Sequence, residues 1–265
     1  NLKRLLIRCT TRVDYYRCQG LRKRSLSDFA LLDKETVRRQ QHRFILDFFI
    51  PWTTSIATTS GTTGQVLKVP ISSNKQCRDG ALLRWHQKVN DLHSGSGFEG
   101  FSRPVHLRVL EDIGDEAERN INWRIGGKCV KACVSRRNIH ADLSYLINEY
   151  KNTYVIAGQP SLLGRIAKSY EAQPSKFRKL KAVYSGGEWL DDKLRIKIEN
   201  AFDVPVFDVY SLTELGIIGM RCGNMEGFHY LPWEWHIEVA NDESELVITS
   251  LTEELFPLLR YRTGD

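Results

Sequence analysis

Between residues 139 and 209, helical and strand-like segments alternate three times, and few folds accommodate that pattern. His140 to Tyr150 gives way to apolar Tyr154 to Ala157, Pro160 to Tyr170 to Leu180 to Tyr184, and Leu190 to Ala201 to Val204 to Val209. Parallel strands need a crossover long enough to hold a helix, so the alternation predicts a parallel sheet covered by helices. Ligands of such sheets bind beyond the carboxyl ends of the strands. The positions to inspect are therefore Gly158, Ser185 to Glu188, and Ser211 to Glu214.

The flanking regions have a different texture. Residues 1 to 50 read as mostly helical, with Ser27, Asp28 and Asp33 available as caps. The stretch 54 to 64 turns abruptly to Thr, Ser and Gly and reads as a loop leading into a strand, Val66 to Ile71. Beyond Glu214, His229 to Val239 and Glu245 to Ser250 are β-like, predicting a smaller antiparallel sheet or barrel portion. The fold class is thus α/β with a β-rich tail. No internal repeat is present and the prolines are scattered, which predicts one compact unit.

With 265 residues, 42% of them apolar, the chain can be held by a core without disulfides or metals. Its longest apolar run, Phe44 to Trp52, is broken by Asp47 and falls short of the roughly 20 residues a membrane-crossing helix needs. Lys3, Arg4 and Arg8 are followed by no apolar signal core, which argues against a secretory peptide. The chain opens on Asn1 rather than Met and stops on Asp265, which reads as trimming at both ends.

Net charge is +6, but residues 1 to 50 hold 12 Lys/Arg against 5 Asp/Glu, leaving the remainder at −1. Such a basic stretch is either a solvated helical surface or a patch for an anionic polymer or membrane surface. Its aromatic residues form no recognisable motif for single-stranded nucleic acid, so no specific nucleic acid is expected. Cys9, Cys18, Cys77, Cys129, Cys133 and Cys222 lack the dense even spacing of a disulfide scaffold and suit a reducing cytoplasm. Cys129 and Cys133, four apart, would share one face of a helix, with no second pair at zinc-finger spacing.

Four blocks carry chemistry. Thr58 to Gly64 places five hydroxyls and two glycines in seven positions, with Lys68 just downstream. Hydroxyls and exposed amides donate to phosphate oxygens, although no Gly-Lys-Ser/Thr follows and a Walker loop is excluded. Asp208 to Glu214, at a strand end, sets a hydroxyl, Thr213, beside a carboxylate, Glu214, and offers the flat ring of Tyr210 to a purine; a plain helix start is the alternative. Ser185, Gly186, Gly187 and Glu188 follow another strand. Arg260 to Asp265 is either a turn or a carboxylate accepting from two sugar hydroxyls.

In this order the blocks resemble the adenylate-forming superfamily of acyl-CoA synthetases, peptide-synthetase adenylation domains and luciferases. They look most like the branch of phenylacetate-CoA ligase and related capsular polysaccharide biosynthesis proteins. Thr59, Ser60, Gly61, Thr62, Thr63 and Gly64 resemble the family's phosphate loop. Ser185 to Glu188 resembles its Ser-Gly-Gly/Ala-Glu turn, Tyr210 to Glu214 its Tyr-Gly-x-Ser/Thr-Glu motif, and Tyr261 to Asp265 its closing Tyr-Arg-Thr-Gly-Asp element. Ser211 replaces the usual Gly, and Val66 replaces a common Pro.

The resemblance implies part of a large N-terminal adenylation domain over 1-265, with a helical opening region (1-57), an α/β region (58-209) and a nucleotide-site and β-rich part (210-265). The C-terminal lid domain with its catalytic lysine would lie after Asp265 and is absent from this sequence. The implied reaction is ATP-dependent activation of a small carboxylic acid, with transfer to a thiol of coenzyme A or a carrier protein. The phosphate loop and Lys68 would hold phosphates, Thr213 would contact the α-phosphate, and Glu214 would bind Mg²⁺. Ser185, Gly186, Gly187, Glu188, Asp208, Tyr210 and Ser211 would line the adenine pocket, and Asp265 would take the ribose hydroxyls. Trp189, Tyr154 and Ile217 are candidate walls of the acyl pocket. Cys222 and His229, seven apart, would be half of a structural Zn²⁺ site completed beyond Asp265. A homodimer is left open. The rival readings are a nucleotide-binding remnant without chemistry, with Ser211 as its support, a capsule-biosynthesis protein with a non-CoA acceptor, and anionic-polymer or membrane-surface binding through the basic first fifty residues.

Overall fold

The computed structural model describes residues 2–19, 25–47, 54–58, 66–92, 105–112, 120–124, 127–135, 137–222, 227–240, 244–252 and 255–265. The chain forms two compact units, the first made of Asn1–Leu83, Ser211–Ile218 and Tyr230–Asp265, the second of Arg84–Tyr210 and Gly219–His229. The sequence pointed to one unit because the passages from one to the other fall inside regular elements, where no linker composition marks them.

In chain order the first unit begins with α1 (Leu2–Arg12), α2 (Asp14–Arg17) and α3 (Lys34–Arg39). Asp33 caps α3, accepting from the Thr36 amide at 2.7 Å, as its position in the sequence predicts. Next come β1 (Thr54–Thr58) and β2 (Lys68–Ser72), an antiparallel pair. The opening of the Thr/Ser/Gly stretch is therefore a strand and not a loop: Thr54 to Thr58 are mostly β-branched or hydroxylated residues that suit a pleated edge, and all five find partners on β2. Then follows α4 (Ser73–Val89), a helix with no single apolar stripe that the sequence did not announce.

The second unit continues with β3 (Val105–Asp112), β4 (Asn120–Arg124), β5 (Gly127–Ser135), α5 (Ile139–Glu149), β6 (Thr153–Gly158), α6 (Pro160–Glu171), β7 (Ala182–Gly186), α7 (Asp192–Phe202) and β8 (Val206–Leu212). The chain closes with β9 (Gly216–Met220), β10 (His229–Tyr230), β11 (Trp235–Val239), β12 (Leu246–Ser250) and β13 (Tyr261–Arg262). The large sheet has the order β10-β9-β8-β7-β6-β3-β5-β4, and its run from β5 through β3, β6 and β7 to β8 is parallel. Cys129 and Cys133 lie on β5, not on a helix; the run Cys129 to Val134 carries only one charge and reads as well as a buried parallel strand.

The sheet and its helices share one core. On α6, Leu162, Leu163, Ile166, Ala167 and Tyr170 recur at helical spacing and are all buried with Leu107, Ile156 and Val183 of the strands. Each such aliphatic side chain contributes about 1.5–3 kcal/mol on burial. Pro160 at the first turn and Asp191, which accepts from the Leu194 amide at 2.9 Å, start α6 and α7 at the sheet's carboxyl edge.

The first unit is joined from both chain ends. Tyr16, fully buried between Phe29 and Phe44, donates to the Pro257 carbonyl and accepts from the Leu259 amide. Leu32 exchanges backbone bonds with Arg260 and Arg262. These bonds bring α3 beside Tyr261. The antiparallel sheet β11-β12-β13 matches the β-rich tail expected from the sequence. No helix among the described residues is long and apolar enough to cross a membrane.

Candidate active site

In the second unit, the ends of β7 and β8 lie side by side, Ser185 opposite Asp208 and Gly186 opposite Val209. A Cβ on Gly186 would stand 2.8 Å from the Val209 carbonyl, so only glycine allows the two backbones this close. Ser185 is buried, and its hydroxyl has no hydrogen-bond partner among the described residues. Asp208 is 8% exposed; burial pushes its carboxyl up, against the Val209 amide and the charges of Arg221 and Arg195. The Glu188 side chain accepts from the Ser161 amide at 3.1 Å and so caps α6. The ring of Tyr210 lies 6.0 Å from that of Phe228.

Of the residues expected to wall the acyl pocket, Tyr154 does not lie at the sheet's ligand end. It stands at the amino end of β6, buried, with its hydroxyl donated to the Leu92 carbonyl. An aromatic residue early in a parallel strand belongs to the structural side of the sheet. Trp189, by contrast, directly follows the Gly186 turn and is 84% exposed.

In the first unit, β8 ends in Ser211 and Leu212, and the turn Thr213–Leu215 leads into β9. Thr213 is exposed and Glu214 is 2% exposed. The Oε1 atom of Glu214 lies 3.0 Å from the ammonium of Lys34 and accepts from the Tyr261 hydroxyl at 3.1 Å. Burial and this carboxylate hold the Tyr261 hydroxyl well above its usual pKa. Tyr261 belongs to the closing motif read from the sequence, but its bond to Glu214 was not foreseen. Lys34 was missed; its only signal is its place directly after the Asp33 cap, since the partner lies 180 residues away.

Asp265 is exposed and ends a segment tied down by Glu245, which accepts from Arg262 at 2.6 Å and from the Gly264 amide at 2.8 Å. The Arg262 guanidinium holds the Glu245 carboxyl below its usual range. Lys68, at the start of β2, is exposed, and its amide donates to Gln41. Thr59, Ser60, Gly61, Thr62, Thr63 and Gly64 lie outside the described residues. The same holds for the four residues 223–226 that follow Cys222. Cys222 has the Asn90 amide at 4.0 Å, and the buried Nε2 of His229 has no hydrogen-bond partner among the described residues. Among the described residues no group of three or more His, Cys, Asp or Glu is placed to hold a metal ion, so this pair gains no third ligand.

No family model matches the chain. Among curated proteins, a phenylacetate-coenzyme A ligase of Pseudomonas putida is 30% identical over 128 residues, which covers 42% of this chain and 29% of the relative. A phenylacetate-coenzyme A ligase of Thermus thermophilus is 24% identical over the whole of this chain, which covers 63% of that protein. The chain thus spans less than two thirds of either relative. Among solved structures, an open conformation of 2-hydroxyisobutyryl-CoA ligase in complex with 2-HIB-AMP and CoA superposes with a TM-score of 0.70 at 16% identity, covering 100% of this chain and 67% of that one. The fold is that of an adenylate-forming enzyme's N-terminal domain, and the sequence is similar to phenylacetate-coenzyme A ligases.

Proposed function

We propose that this chain is the nucleotide-binding part of an AMP-forming acid–thiol ligase. One oxygen of a carboxylic acid attacks the α-phosphorus of ATP, pyrophosphate leaves, and the acyl adenylate then yields its acyl group to the thiol of coenzyme A with release of AMP. The observation that carries this reading is the likeness to a phenylacetate-coenzyme A ligase along the whole chain, with Tyr210 to Glu214 at the carboxyl end of a parallel strand. Adenylation gathers negative charge at one phosphorus, so its demands are alignment and positive charge more than a nucleophile from the protein. In the first unit Thr213 is exposed and would meet a phosphate; in the second, Asp208 and Tyr210 on β8 and the backbone of the turn at Ser185 to Glu188 would meet the base.

Magnesium is implied by the family. Lys34 and Tyr261 take Oε1 of Glu214, while Oε2 accepts no hydrogen bond among the described residues. Mg²⁺ commonly takes one or two protein carboxylates together with phosphate oxygens and water, so the donor fits. When bound, the ion would offset charge on the phosphates. One observation favours a second reading, a nucleotide-binding remnant: an ammonium of the protein already sits on the carboxylate assigned to the metal. Pyrophosphate release by the full-length protein with ATP, Mg²⁺ and a panel of carboxylic acids separates the two. Acid-dependent release is expected; nucleotide binding with no release from any acid would favour the remnant.

A further inference from the structure

The first unit sets a second pair of charged residues, a buried lysine and a half-buried aspartate, where no motif announced them. Lys75 and Asp79 stand one turn apart on α4, hence on one face, and Lys75 is 4% exposed. The Lys75 ammonium donates to the Leu215 carbonyl and lies 5.8 Å from the centroid of the Trp235 ring. Asp79 accepts from the Ile217 amide. Between those two bonds sits Gly216 at φ +82°, where a Cβ would stand 2.7 Å from Lys75 Nζ and 3.0 Å from Asp79 Oδ2. An ammonium thus takes the carbonyl before Gly216 while a carboxylate takes the N–H after it.

Two apolar side chains would attach α4 to this segment at lower desolvation cost, because charge taken out of water seldom outperforms well-packed hydrophobic residues. Asp79 displays that cost: burial and the nearby Glu234 carboxylate push its carboxyl up to about 6, against the charges of Lys75 and Arg78 and the Ile217 amide. What the pair supplies beyond adhesion is direction. Each charge orients one peptide group through a charge-assisted hydrogen bond, and the oriented peptides begin at the residue after Glu214.

We propose that Lys75 and Asp79 are positioning residues which grip the backbone on both sides of Gly216 and thereby fix how Thr213 and Glu214 face the nucleotide. The inference rests on the reading of Glu214 as the group that meets Mg-ATP. Full-length Asp79→Asn, which keeps the shape and removes the charge, and Lys75→Met, which removes the ammonium, test it. Amide hydrogen exchange at 215–217 is expected to quicken about tenfold in both variants, the scale of one lost charge-assisted bond, while exchange in α6 stays as in wild type. The ATP KM is expected to rise severalfold or more, with Lys75→Arg restoring it because a guanidinium also donates to a carbonyl. Unchanged exchange at 215–217, or quickened exchange with an unchanged ATP KM, would overturn the proposal. If Lys75→Met fails to fold, Asp79→Asn and Lys75→Arg decide. A wild-type protein that neither binds nor turns over ATP would sink the ligase reading and with it the role toward nucleotide, whereas the exchange measurement reports separately on the grip itself.

Discussion

The two units differ in the kind of polar group they bury. In the second unit, His86 is 0% exposed, and burial favours its neutral ring: the Arg221 carbonyl, 2.8 Å from Nε2, can only accept, so in that form Nε2 carries the proton and Nδ1 accepts from the Tyr184 hydroxyl at 2.9 Å. The first unit instead buries Lys75, Glu214 and Glu245. The buried acid of the second unit among the described residues is Asp208, at the strand end beside Ser185. Each of these four charges either belongs to a motif or holds one in place: Lys75 the backbone after Glu214, Glu245 the segment leading to Asp265. Buried charge is costly and rarely stabilising, so its concentration beside the motifs supports the proposed site there.

The largest effect that bears on this contrast is expected from Glu214→Gln, which preserves size and removes the charge. Adenylation measured by pyrophosphate release should fall about a hundredfold, the scale for one key electrostatic group. The midpoint of chemical unfolding should move little, because the Lys34 side chain is 45% exposed and remains hydrated without its partner. A variant that kept its activity and its Mg²⁺ dependence would remove the reason for separating functional from structural burial.

His86→Leu should do the opposite. It leaves the Tyr184 hydroxyl and the Arg221 carbonyl without their partners in a dry interior, which costs about 2–4 kcal/mol in unfolding free energy. ATP affinity, measured by calorimetry at a temperature where the variant is folded, should stay within about threefold of wild type. If nucleotide binding collapsed while stability held, His86 would belong with the charged groups and the contrast would be void.

How much of this was legible in the sequence follows the range of the interactions. The segments α5, α6, α7 and β6 to β8 begin and end within three residues of where the alternation put them, because periodicity, Pro160, Asp191 and short apolar runs are local signals. The helix α4 escaped notice: its sequence mixes Lys, Asp, Gly and Trp around the cylinder, and tertiary contacts sustain it. Strand ends likewise located Ser185 to Glu188 and Tyr210 to Glu214 without any coordinates. Lys34 and Lys75 stayed hidden because they reach Glu214 and Leu215 across 180 and 140 residues, and no spacing rule encodes such a distance. Glu188 shows the intermediate case, a motif residue correctly placed whose side chain serves as a helix cap.

The smallest and most discriminating effect lies in acid response, where the two units should respond with opposite sign. Burial lowers the pKa of His86 below its usual 6.5, so the unfolded chain binds the proton more readily, and this group's stabilisation is lost as pH falls through about 6.5 and below. Burial raises Asp79 from 3.8 to about 6, so the folded chain binds the proton more readily, and stability rises as pH falls through that window. Between pH 7.5 and 5.5 the Asp79 contribution amounts to about 1 kcal/mol or less by linkage, and in wild type the His86 contribution opposes it. The single variants should uncover them. From urea titrations at the two pH values, Asp79→Asn should lose stability on acidification relative to wild type, and His86→Leu should gain. Parallel pH responses in all three proteins would show that neither group titrates as its surroundings dictate. That outcome would leave the charged and the neutral interior distinguishable only by what they hold in place.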